Sequence, residues 1–168
     1  MRDFKEGMRI GIIGPSKLNE NSREIISSLS KIVAESKNEI VVTPDKGSAS
    51  EFFAQEYIKN GGIKIFEIVP LDDEEFGYDY LNLDLGEKIN CGTWRNQPEK
   101  FNEETDVLLC VGYAVGVLLE MAYSKWFKPK PVFIVEELVS CKLSEEISLD
   151  LRYVSASSLE EELKSSGD

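Results

Sequence analysis

Short apolar, β-branched runs recur along this chain, and most of the intervals between them carry helical spacing. Residues 8–14 form such a run, ending in glycine, and residues 20–35 then place Ile25, Ile26, Leu29, Ile32 and Val33 on one helical face. Residues 39–43 repeat the strand signal. Residues 48–59 follow with Phe52, Phe53, Tyr57 and Ile58 before the helix-stopping Asn60-Gly61-Gly62. Residues 63–69 predict a third strand, 106–111 a fully buried strand, 115–127 its helix and 131–135 another strand, with a last strand and helix at 151–154 and 159–163. Successive β-α units with near-continuous apolar strands predict an α/β chain: a three-layer, doubly wound, mainly parallel sheet with helices on both faces. Only residues 70–97 break the alternation. A connection that long is either a functional lid or hides an element, and Tyr80-Leu-Asn-Leu-Asp-Leu85 alternates as a short strand would.

The 168 residues contain no internal repeat, low-complexity tract or linker, so residues 1–168 read as one domain. Nineteen Lys and Arg against 31 Asp and Glu give a net charge of −12, which opposes attraction to a nucleic-acid backbone or an anionic membrane. Histidine is absent, which removes Ser-His-Asp and Cys-His catalysis and every His-ligated metal site. Acid-base work must fall to carboxylates, Lys, Tyr or Cys. Cys91, Cys110 and Cys141 form no C-x-x-C pair and read as reduced thiols. The first apolar run, Ile10 to Ile13, is too short for a signal peptide and leads into Gly14-Pro15, so a cytoplasmic location is expected. Neither a metal nor a resident cofactor is implied.

In an open parallel sheet, ligands bind where the carboxyl ends of strands turn into helix N-termini, whose free N–H groups favour anions. Gly11-Ile-Ile-Gly-Pro-Ser-Lys17 offers such a turn, with Gly14 for close approach, the Ser16 hydroxyl and the Lys17 cation. Thr43-Pro-Asp-Lys-Gly-Ser48 offers a second, in which Gly47 and Ser48 serve either a ligand or simply a helix cap. In the third, Val111-Gly-Tyr-Ala-Val-Gly-Val-Leu-Leu-Glu120, a buried strand meets Gly112 and Gly116 and then a helix that carries Glu120 among apolar neighbours.

Together these turns resemble the SLOG and Lonely Guy superfamily of Rossmann-like nucleotide-binding proteins, members of which were long mistaken for lysine decarboxylases. The resemblance runs from the Gly-Gly-Ser-Arg-like turn at Gly14-Pro-Ser-Lys17, through Gly61-Gly-Ile-Lys-Ile-Phe-Glu-Ile-Val-Pro70 and Arg95-Asn96 ahead of Thr105-Asp106. It continues to the hallmark Pro-Gly-Gly-x-Gly-Thr-x-x-Glu, which falls on Gly112 to Glu120, and to Lys128-Pro-Lys-Pro-Val132. Gly116 and Glu120 keep the hallmark, whereas Tyr113 and Ala114 replace its glycine pair and Val117 its threonine. Pro44 and Asp45 stand where the family has glycines.

The resemblance implies a Rossmann-like fold and a bound nucleoside 5′-monophosphate or related phosphorylated ligand. Its phosphate would lie near Gly14, Ser16, Lys17, Gly47, Ser48, Asn96, Gly112 and Gly116. In the hydrolase members, the arginine ahead of the aspartate strand and the hallmark glutamate release a nucleobase, so Arg95 and Glu120 would take those catalytic roles. A carboxylate beside a developing oxocarbenium ion and an arginine on an anionic group suit that reaction without histidine or metal. Binding without turnover, phosphoribohydrolase activity and a non-catalytic oligomeric scaffold stay open at this point. The family also implies a homodimer or higher homo-oligomer, for which Phe52, Phe53, Trp126 and Phe127 are the candidate aromatic surface.

Overall fold

The structure, a computed structural model, describes residues 7–165. Seven strands, β1 (Arg9–Ile13), β2 (Glu39–Val42), β3 (Ile65–Val69), β4 (Glu87–Asn90), β5 (Val107–Cys110), β6 (Val132–Val135) and β7 (Leu151–Val154), form one sheet in the order β4-β3-β2-β1-β5-β6-β7. Every neighbouring pair is parallel. The helices are α1 (Arg23–Glu35), α2 (Ala49–Lys59), α3 (Gln97–Glu104), α4 (Val115–Trp126) and α5 (Leu159–Ser165). This is the three-layer Rossmann-like α/β fold that the alternation predicts.

Period-two alternation sorts the strand side chains onto two cores. Ile10, Ile12, Ile40, Val42, Leu109, Phe133 and Val135 pack on one face with Ile26, Leu29 and Val33 of α1, Phe53 and Tyr57 of α2, and Leu159 of α5. Ile13, Val41, Leu108, Cys110, Val132 and Ile134 pack on the other with Phe101 of α3 and Val117 and Met121 of α4. Gly11 sits between these layers because an added Cβ would come within 2.8 Å of the Phe101 ring. The helices thus cover both faces, as right-handed crossovers require.

Two elements depart from the sequence reading. The strand expected at residues 80–85 is only an isolated bridge, Asp45 to Leu81, and the true neighbour of β3 is β4, further along. Alternation at 80–85 comes from leucines, of which Leu81 is the buried one. The stretch after Asn96 is helical, with Pro98 in the first turn where its missing N–H costs nothing, and it carries the chain from edge strand β4 back across the sheet to β5. Among the described residues, no helix is long and apolar enough to cross a membrane.

Candidate functional site

The chain leaves β1 toward β2 on one side of the sheet and returns through β5 on the other, so the β1 and β5 carboxyl ends flank a topological switch point. Their two turns pack together there. Gly112 has φ +141°, and a Cβ on it would lie 2.8 Å from Pro15 Cδ, so that turn admits little but glycine. The β1 turn is also tied to the start of α2, where Ala49 N–H donates to the Pro15 carbonyl (3.1 Å) and Leu18 N–H to that of Gly47 (2.9 Å).

Over these turns opens a cleft of about 520 Å³, within the range of small-ligand sites. One wall is the N-terminus of α4, where Ala114, Val115, Gly116 and Val117 all line the space. No side chain caps this helix end. Gly116 has open space where a Cβ would stand, so the fold does not demand glycine there and the bare backbone is presented to the cleft.

The polar floor joins three elements. Gln97 Nε2 donates to Thr43 Oγ1 (3.0 Å) and, at the long limit of 3.5 Å, to Glu120 Oε2. Glu120 shows part of its side chain to the cleft, yet its carboxyl is desolvated enough to titrate at about 8; the Gln97 contact opposes this and the nearby Asp45 charge adds to it. Burial raises the Asp45 carboxyl as well. Ser16 and Ser50 add hydroxyls, and Trp94 and Pro98 add apolar surface. Among the described residues, no lysine or arginine lines the cleft. Among the described residues no cysteine lines the cleft, and burial pushes the Cys110 thiol at the end of β5 up to about 12.

Of the residues singled out from the sequence, Gly14, Ser16, Gly116 and Glu120 meet in this cleft, and Gly112 shapes its base. Gly47 and Ser48 instead build the start of α2. Ser48 Oγ accepts Glu51 N–H (3.0 Å), the Glu51 carboxylate accepts Gly47 N–H (3.0 Å), and Gly47 takes φ +83°. Lys17 is exposed and outside the lining. Asn96 Oδ1 accepts the Thr93 N–H and hydroxyl, a capping box that starts the helical turn before α3.

Arg95 is not among the residues that line the cleft with Glu120. It pairs with Glu75 (2.8 Å) and lies over the Phe76 ring, with its side chain 70% exposed. An exposed pair of this kind contributes little. Arg95→Ala is therefore expected to leave both the melting temperature and ligand affinity within about twofold or a degree of the parent, as calorimetry and thermal melts would show.

Sequence reasoning missed Thr43, Asp45, Ser50, Trp94 and Gln97. For Thr43 and Asp45 the signal was present, since they end the second strand at the carboxyl edge of the sheet. Trp94 and Gln97 arrive on the irregular segment and on α3, which periodicity did not resolve.

No protein-family model matches the sequence, and no curated protein does. Solved structures do match in fold. The molybdenum cofactor binding protein from the phototrophic bacterium Rippkaea orientalis superposes with a TM-score of 0.74 at 20% identity, covering 98% of both chains. The Moco carrier protein from Chlamydomonas reinhardtii gives 0.77 at 19% identity, covering 95% of this chain and 97% of its own. The protein TM1055 gives 0.71 at 16% identity over 94% and 99%. At these identities the likeness is one of fold: a Rossmann-like α/β domain matched over nearly its whole length.

Proposed function

We propose that this chain is a binding protein of the SLOG and Lonely Guy type that holds a nucleoside 5′-monophosphate, or a related phosphorylated ligand, without turning it over. The observation that carries the reading is the uncapped N-terminus of α4, with side-chain-free Gly116, opening on a cleft whose floor bears Gln97 and Glu120. The phosphate sits at the α4 N–H groups, which supply local positive potential despite the net charge of −12. Glu120, protonated below about pH 8, both donates and accepts, which suits sugar hydroxyls.

Two observations favour binding over hydrolysis. Arg95 is engaged by Glu75 outside the cleft, and desolvation raises the Glu120 carboxyl, which disfavours the charge that would stabilise an oxocarbenium ion. Phosphoribohydrolase activity remains the second reading because a carboxyl group does stand in the cleft. The names of the two molybdenum cofactor proteins make that cofactor a further ligand to test. Calorimetry with nucleoside monophosphates, run beside chromatographic detection of free base, decides between these readings. Millimolar ligand that neither binds nor stabilises the fold defeats the proposal, and released base moves it to the hydrolase.

The same reading carries the proposal of a homo-oligomer, most simply a twofold dimer. Phe53 is fully buried and offers no free surface, and Phe52 is half-buried under the Arg23 guanidinium. The apolar surface is instead on and just after α4, where Val115, Leu118, Leu119, Trp126 and Phe127 are all exposed. A dimer mass is expected in light scattering, reverting to monomer in a Leu118→Glu, Trp126→Glu double variant. A monomer for the parent at all concentrations would remove the claim.

A further inference from the structure

We propose that Trp94 is a stacking platform that makes the cleft selective for ligands bearing a planar ring over the bare phosphorylated sugar. This rests on the reading of the cleft as a nucleotide site.

The indole is fixed by an irregular connection between β3 and α3 that contains the short edge strand β4. Asp73 is buried there and accepts the N–H groups of Phe76 (2.7 Å) and Trp94 (2.8 Å), bonds that hold its carboxyl below the usual range. Trp94 Nε1 donates to the Gly77 carbonyl (2.6 Å), so the polar atom of the ring is satisfied inside the connection. Tyr80 stacks on the indole in an offset arrangement, with centroids 5.6 Å apart and planes 11° from parallel. With Nε1 committed to Gly77, what Trp94 offers the cleft it lines is apolar ring surface.

The platform is also tied to the rest of the site. Lys46 N–H donates to the Tyr80 carbonyl (2.8 Å), Asn82 N–H to that of Pro44 (2.9 Å), and Leu81 bridges Asp45, which lines the same cleft. A ring held so firmly is ordered before any ligand arrives, and stacking on it costs little further entropy. Because Trp94 and the α4 N-terminus line the same cleft, one ligand can place an anion on the helix and a flat ring on the indole. A base needs no specific hydrogen bonds for this, because every base has a π-face.

The sequence holds two tryptophans, so Trp126→Phe leaves Trp94 as the only one. That protein is titrated with AMP, GMP, CMP, UMP and ribose 5-phosphate while Trp94 fluorescence and binding heat are followed. The expected result is saturable quenching by at least one nucleotide, with that nucleotide bound about tenfold or more tighter than ribose 5-phosphate. Adding Trp94→Leu should erase the nucleotide's advantage and leave ribose 5-phosphate affinity as it was, while Trp94→Phe should keep much of it. Should the leucine variant melt below the assay temperature, the phenylalanine variant and the quenching titration decide alone. Ribose 5-phosphate bound as tightly as every nucleotide, or an advantage that survives the loss of the indole, overturns the platform and leaves the phosphate site standing. Failure of all five ligands to bind the parent instead overturns the nucleotide reading, and the platform with it.

Discussion

Lys130→Met is expected to lower the unfolding free energy by about 3 kcal/mol and the melting temperature by about 10 °C, with an unchanged urea m-value. The Lys130 ammonium is buried and donates to the carbonyls of Asn102 and Thr105 (2.7 Å for the latter) and to Thr105 Oγ1 (3.0 Å). It thereby ties the C-terminal end of α3, where a positive charge is favoured, to the chain entering β6. Desolvation and the neighbouring Lys128 pull its pKa down to about 7, and Asp106 opposes them. Three acceptors are what an ammonium with three N–H groups can fill and a neutral amine with two cannot, so the geometry itself holds the proton. Methionine matches the length of the stem but removes all three donors: the Thr105 carbonyl loses its ammonium, while the Asn102 carbonyl keeps only the long bonds from the Thr105 N–H (3.4 Å) and hydroxyl (3.3 Å). The neighbouring Asn102 side-chain amide is buried with neither end paired, so the region already carries polar groups without partners. A loss below about 0.5 kcal/mol would show that the three bonds are not formed in solution.

How much of this was legible in the sequence depends on how many faces of each element are buried. β1, β3, β5 and β6 are covered on both faces, and their runs of Ile, Val and Leu announce them. β4 is a mostly exposed edge strand, Glu-Lys-Ile-Asn, with one apolar residue, and no alternation betrays it. α3 buries Phe101 as its one large apolar side chain, too little for a periodic signal. The site divides along the same line. Gly14, Ser16, Gly116 and Glu120 follow legible strands and were singled out from the sequence, whereas Trp94 and Gln97 ride on the illegible segment. Arg95 shows the other limit. Its place in the sequence beside the capping residue Asn96 is as a family motif would have it, but a long cation follows the nearest solvated carboxylate, Glu75, and adjacency in sequence did not bring it to the cleft.

Glu120→Gln separates the binding and hydrolytic readings by pH. The Glu120 carboxyl titrates near 8 in the folded chain against an ordinary value of 4.5, so between these pH values the folded state holds a proton that the unfolded state has released. Stability from this group is therefore present in full below about pH 4.5, declines as pH rises through the window, and stays reduced above about 8. Glutamine does not titrate and has the shape of the protonated acid. The variant should melt with the parent near pH 4 and clearly above it at pH 9. At pH 7 it should bind nucleotide within a few-fold of the parent. Above pH 8 the parent alone should lose affinity, as a carboxylate forms beside an anionic ligand and stops donating to it. A hydrolase would behave in the opposite sense. Its base release would climb with pH as the carboxylate appears, and Glu120→Gln would cut it by about 100-fold or more at unchanged affinity. Parent and variant melting in parallel from pH 4 to 9 would mean that the carboxyl is solvated, and with it would go the account of Glu120 as a neutral partner for sugar hydroxyls.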